Sequence, residues 1–297
     1  MTVAPQHAES ARIYDARFAS GYMARWPAWK RTRVRDWLRT LALPGRGVAL
    51  DFGCGGGVFT AVLMEALPGW RVVGADISTR ALAEARERVG GAGFVPLTEI
   101  GQHAPFDLVF SHHVLEHVVD LEQTLDLLRD VLAPGGSAVH VLPCGNAGSL
   151  EERLCRLRRD GIDPGNGRFC FEEPGHLRRL DSAGLERLFG ARGLSLAAQA
   201  YACHRAGAIQ WITREGVEFV RSLADPGAAV DARAARSLRR LRRVLVGLAR
   251  LRSLPGLRGP TERLCIAADA WEWRRRRGRR DGSEMYLHFR SAGAGTC

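Results

Sequence analysis

Apolar positions along the chain follow two rhythms, and the alternation between them lays out the fold. Short apolar runs at 47–52, 71–75, 93–97, 106–111 and 137–142 predict buried strands. Between them, 58–67, 79–89 and 120–132 place apolar residues three and four apart, the spacing of a helix with one buried face. Pro134-Gly135-Gly136 reads as a turn before the fifth strand. Ahead of this series, Tyr14, Phe18 and Tyr22 fall four apart, and Val34, Trp37, Leu38 and Leu41 form a second helical stripe closing at Pro44-Gly45. Beyond an irregular stretch at 145–170, Asp181 N-caps a helix over 182–191 that Gly193 closes. Leu194 to His204 and Glu284 to Arg290 read as two further strands.

Strand–helix alternation of this kind predicts an α/β fold, a mostly parallel sheet with helices on both faces. The order of elements divides the chain into an N-terminal helical lid at 1–46 and a core at 47–204. A helical insertion follows at 205–280, and a final core strand with a loose tail at 281–297.

Composition narrows the class. The chain has 297 residues and an apolar share of 46%, ordinary for a globular protein. It carries no apolar run of membrane-spanning length and a polar N-terminus, from which a cytoplasmic location is expected. Seven scattered cysteines without a C-x-x-C pair argue against a disulfide framework or a structural zinc site. The net charge of +11 is confined to one segment: between Arg205 and Arg280 lie 19 arginines against 7 acidic residues. Lys30 is the only lysine, so part of the arginine excess reflects coding bias.

The chemistry gathers at strand ends. Residues 48–57 read Val-Ala-Leu-Asp-Phe-Gly-Cys-Gly-Gly-Gly, a strand that stops in a glycine turn and opens a helix. Such a turn brings backbone close to a ligand. Asp76 closes the second strand about 20 residues on, where an acidic side chain can receive two ribose hydroxyls. The glycines alternate and follow an aspartate, which fits a nicotinamide fingerprint poorly.

Leu50-Asp-Phe-Gly-Cys-Gly-Gly-Gly57, Gly74-Ala-Asp-Ile-Ser78, the run from Phe106 to His117 and Leu132-Ala-Pro-Gly-Gly136 resemble, in that order, the motifs of class I S-adenosylmethionine-dependent methyltransferases. The likeness is to the small-molecule branch that includes the ubiquinone-biosynthesis O-methyltransferases. It implies a Rossmann-like seven-stranded sheet, S-adenosylmethionine as cofactor, S-adenosylhomocysteine as product, and a small-molecule acceptor methylated at oxygen or nitrogen. Carried over residue by residue, Asp51, Gly53 and Gly55 line the methionine moiety, with Gly57 in the same cofactor-binding turn and Cys54 a small filler there. Asp76 takes the ribose diol, Ile77 packs on adenine, and Thr98 to Ile100 approach the adenine edge. Ser111 and His112 sit under the sulfonium, and Tyr14 belongs to the lid. Intramolecular cyclisation releasing methylthioadenosine is the alternative use of the same cofactor.

His113-Val-Leu-Glu-His117 stands where related enzymes carry E-x-x-E-H. With histidine replacing the first glutamate, a divalent metal is not expected. His117 and His113 become candidate general bases, with Glu116 beside them. The same letters spell H-x-x-E-H, a zinc-protease spacing that requires both histidines on one helix face. His176, in Gly175-His-Leu-Arg178, is a third candidate base or substrate ligand.

In the insertion, Leu238, Leu241, Leu245, Leu248 and Leu251 form an apolar stripe with arginines opposite. An amphipathic basic helix serves as a cap over the substrate site, as a contact to an anionic membrane surface, or as a phosphate binder. Position favours the cap; nucleic acid is not expected as a partner.

Overall fold

A computed structural model describes residues 5–21 and 26–293, with the side chains of residues 5–8 outside the description. Tyr22 therefore lies outside the described residues. A seven-stranded sheet runs in the order β3-β2-β1-β4-β5-β7-β6. Its strands are β1 (Val48–Phe52), β2 (Arg71–Asp76), β3 (Gly93–Pro96), β4 (Phe106–His112), β5 (Leu132–Pro143), β6 (Leu194–Ala202) and β7 (Glu284–Ser291). The pairs β1–β2, β1–β4, β2–β3 and β4–β5 are parallel. The central strands are apolar and buried, as strands covered on both faces must be: Ala49, Leu50, Leu108, Val109, Phe110 and Val139 are fully enclosed.

Two compact units are present. The first comprises 1–141, 186–198 and 287–297, the second 142–185 and 199–286. In the first, α1 (Pro5–Ala19) and α2 (Ala28–Leu38) precede the sheet, followed by α3 (Val58–Ala66), α4 (Thr79–Arg88) and α5 (Leu121–Val131). Gly57 stands at the N-cap of α3 in the left-handed region, φ 78°. Ser78 caps α4 by accepting the Ala81 amide, and Asp120 caps α5 by accepting that of Gln123.

Two expectations are corrected. Pro134-Gly135-Gly136 does not precede the fifth strand but lies within β5. Partners run Phe106–Leu132 and then Leu108–Ser137, so the extra residues bulge out of register with β4. Gly135, at φ 75°, donates its amide to Ala292, and Ser291 donates its hydroxyl to Ala133, which fastens the bulge to the end of β7. The stretch 145–170 is not wholly irregular, because α6 (Leu150–Arg156) forms within it. Ser149 accepts the Glu152 amide, and Glu152 accepts the amide of Gly148, one residue ahead of the N-cap, so that a Ser-x-x-Glu pair holds the start of even this short helix.

The second unit holds α6, α8 (Arg205–Arg214), α9 (Val217–Leu223), α10 (Ala232–Ser253) and α11 (Arg258–Arg276); α7 (Ser182–Gly190) spans the sequence boundary between units. Leu238 and Leu245 of the basic helix pack with Leu154, Ile212, Val220 and Leu223 in that unit's own core. No helix among the described residues is long and apolar enough to cross a membrane.

Candidate functional site

In the first unit the carboxyl ends of β1, β2 and β4 converge, and α1 and α2 bring further side chains to them. Gly53, Gly55 and Gly57 all hold positive φ, at 72°, 50° and 78°. At Gly53 the requirement is also spatial: a Cβ there would stand 2.5 Å from Val114 Cγ2. A Cβ at Gly55 would meet the Phe18 ring of α1 at 3.2 Å.

Two buried carboxylates flank this turn. Asp76 accepts the Gly55 amide at 2.8 Å through one oxygen and the Ser78 amide at 2.9 Å through the other. Because Ser78 is the helix cap, Asp76 is released from that role. Burial raises the Asp76 carboxyl above its ordinary range, against the lowering effect of the amides of Ser78, Gly55 and Ile77. Asp51 accepts the Thr60 hydroxyl at 2.6 Å. Burial pushes its carboxyl up to about 7; the Thr60 bond works against this and the nearby Asp76 charge adds to it. Two carboxylates held in so little solvent favour a ligand that brings positive charge and hydroxyl donors. Cys54 is buried among Leu82, Ala85, Val89 and Phe94, and burial raises its thiol far above the usual range, consistent with a filler.

At the end of β4, alternation sends neighbouring side chains to opposite faces. Ser111 turns to His140, Oγ to Nδ1 2.7 Å, and burial pushes that imidazole down to about 3. His112 instead stacks on Phe59 at 3.6 Å between centroids, with Trp26 edge-on at 4.7 Å. The structure thus places Ser111 and His112 in different surroundings rather than side by side. Ile77 is half-buried, and Ile100 is enclosed in a 3₁₀ turn over 97–102.

His113 takes φ 55° and donates its amide to Val141 at 2.7 Å. Residues 114–117 form a turn, so His113 and His117 do not share a helix face and the zinc-protease spacing loses its geometry. The His113 ring lies 3.3 Å from Glu116 Oε1 through Nδ1 and 3.3 Å from Lys30 Nζ through Nε2. Glu116 is buried. The Lys30 ammonium also sits over the Trp26 ring at 4.5 Å. Tyr14 meets His117 edge-on at 6.2 Å.

His176 belongs to the second unit. It approaches Glu172 at 3.5 Å, and Glu172 pairs with Arg179, which also stands 3.6 Å from Glu151. Burial alone would raise Glu172; the bonds from His176 and Arg179 outweigh it and hold the carboxyl below its ordinary value.

Sequence reasoning missed several contributors. Asp15 of α1 accepts the Ser78 hydroxyl at 2.6 Å and the Arg80 amide at 3.2 Å, which docks α1 on the start of α4. Phe18 lies in α1 and Phe59 and Thr60 in α3, where periodicity marks them only as helix residues. Thr60 carried a signal, being a hydroxyl one turn into the helix that follows the glycines.

Sheet order and the strand–glycine turn–helix unit at β1 together define a Rossmann-like fold. A sequence family described as a methyltransferase domain matches residues 50–138. Trans-aconitate 2-methyltransferase of Methylobacterium nodulans is 30% identical over 208 residues, covering 66% of this chain and 78% of that protein. The enzyme of the same name from Variovorax paradoxus is 38% identical over 135 residues, 44% of this chain and 50% of its own length. Among solved structures, a protein from Galdieria sulphuraria assigned as a sarcosine dimethylglycine methyltransferase shares the fold, with a TM-score of 0.50 and 11% identity over 88% of this chain and 86% of its own. The chain belongs to the class I S-adenosylmethionine-dependent methyltransferases.

Proposed function

We propose that this protein transfers the methyl group of S-adenosylmethionine to a carboxylate oxygen of a small acidic metabolite. The observation that carries the cofactor half is the glycine turn held between Asp51 and Asp76, a cradle that a Cβ at Gly53 would fill. Asp51 would hold the cofactor's ammonium and Asp76 its ribose diol. When bound, the cofactor supplies an electrophilic methyl on a sulfonium, and the protein's task is positioning and exclusion of water. Phe18, Trp26 and Phe59 do the excluding.

The acceptor half rests on charge and on the relatives. Lys30 brings a cation to the end of β4, and the relatives named above act on trans-aconitate, a tricarboxylate. A carboxylate is already ionised at neutral pH, so its methylation needs no general base. His113 and Glu116 then orient Lys30. The pairing of His113 with buried Glu116 favours a second reading, in which His113 takes a proton from a hydroxyl or amine acceptor.

Incubating the purified protein with S-adenosylmethionine and a panel of tricarboxylates, hydroxyl and amine acceptors separates these readings. Methyl ester and S-adenosylhomocysteine are expected with a tricarboxylate. Turnover confined to hydroxyl or amine acceptors would select the second reading, and methylthioadenosine as co-product would replace both with cyclisation.

A further inference from the structure

Seven of the eleven exposed large apolar side chains among the described residues lie between Val244 and Trp271, on the α10–α11 hairpin. Six of them cluster toward its tip: Val244 (61% exposed), Leu248 (37%), Leu251 (41%), Leu254 (49%), Leu257 (38%) and Leu264 (72%). Helical geometry separates them from the part of α10 that builds the core. Leu238, Leu245 and Ala249 form the inward stripe, whereas Val244, Leu248 and Leu251 form a second stripe turned roughly a third of a turn away. Leu254 and Leu257 bracket the Pro255-Gly256 turn, with Gly256 at φ 80°. A water-exposed ridge of this kind is costly unless something covers it.

Charge identifies what covers it. Arg243, Arg250, Arg258 and Arg263 are exposed around the same tip, and from Arg233 to Arg263 ten arginines accompany one acidic residue, Glu262. A second copy of the chain would set arginine against arginine. A nucleic acid would meet the arginines but leave the leucines in water. A lipid surface with anionic headgroups satisfies both, since leucines enter the acyl boundary while guanidinium groups remain among phosphates. We propose that the tip of the α10–α11 hairpin docks on an anionic lipid surface, lying on the membrane rather than crossing it. This inference is independent of the acceptor assignment.

Sedimentation of the full-length protein with phosphatidylcholine vesicles, with and without phosphatidylglycerol, tests it. Binding to the anionic vesicles alone is expected, weakening as salt rises. Leu254→Glu with Leu257→Glu should reduce binding at least tenfold, and Arg250→Gln or Arg258→Gln roughly fivefold each. These positions are exposed, so an unchanged melting temperature is expected alongside. Leu257→Trp, which preserves the apolar ridge, should show a blue-shifted emission only with anionic vesicles. Failure to sediment with anionic vesicles, equal binding to neutral ones, or indifference to the Leu→Glu pair would overturn the proposal. So would a dimer in solution that the same pair dissociates.

Discussion

The Asp76 carboxylate accepts the Gly55 amide at 2.8 Å, tying the end of the second strand to the turn that follows the first. One side chain thereby shapes the loop and presents charge beside it. Asp76→Ala should weaken S-adenosylmethionine binding by about ten- to a hundredfold, in line with loss of a charge-assisted bond. It should also lower stability by about 1–3 kcal/mol, since two amides lose their acceptor. Asp76→Asn keeps one acceptor oxygen and should recover part of the stability but little of the affinity. Calorimetry and urea melts measure the two separately; unaltered cofactor binding in Asp76→Ala would remove the cradle assignment.

If Asp51 holds the cofactor's ammonium as proposed, cofactor affinity should depend on pH. Its folded-state carboxyl lies near 7, above the ordinary value of 3.8, so the folded protein holds this proton more tightly than the unfolded chain does. That contribution to stability is complete below about pH 4 and is lost as pH rises through 7. A bound ammonium reverses the preference by favouring the carboxylate. Affinity for S-adenosylmethionine should therefore tighten between pH 5 and 7, by up to about tenfold per unit. Asp51→Asn should flatten this dependence, and identical pH slopes in the two proteins would contradict it.

Gly53→Ala introduces both a strained φ and a Cβ 2.5 Å from Val114 Cγ2. The expected loss is about 1–3 kcal/mol of stability, with weaker cofactor binding. Combining it with Val114→Ala should recover the steric part and leave the backbone part, a coupling that a double-mutant cycle reads directly. Gly45→Ala, where a Cβ would meet nothing within 4 Å, serves as the neutral comparison.

Lys30→Gln should raise the KM for an acidic acceptor by roughly ten- to a hundredfold while leaving the cofactor Kd unchanged. Lys30→Arg, which keeps the charge but alters the geometry, should fall between. An unchanged KM in Lys30→Gln would move the acceptor away from the end of β4.

The glycine turn and the two aspartates of the candidate cofactor site were legible because each is local. A glycine turn, an aspartate before it and an aspartate one strand later all sit within a few residues of a strand end, and parallel pairing brings strand ends together. The first four strands, the helices between the five and the last two strands follow the sequence pattern closely, whereas β5 begins five residues earlier than its apolar run. What the pattern could not show is contact at long range. Asp15 reaches Ser78, Phe18 covers Gly55 and Lys30 reaches His113, and none of these pairs leaves a periodic trace. The Pro-Gly-Gly bulge was misplaced for a related reason. Its three residues have turn chemistry, and only the neighbouring β7 shows that they stay within the strand. The His113–His117 run has helical spacing in its letters alone, and a backbone that enters it at φ 55° does not carry that spacing into space.

Because Lys30 is the chain's only lysine, its place over Trp26 and against His113 gives the protein a built-in reporter. An amine-selective reagent has one side-chain target, and that target stands among the candidate catalytic groups. The rate of its labelling can be followed on the unmodified protein by mass spectrometry. Slower labelling with S-adenosylhomocysteine or an acidic metabolite would register each ligand's arrival without any engineered probe.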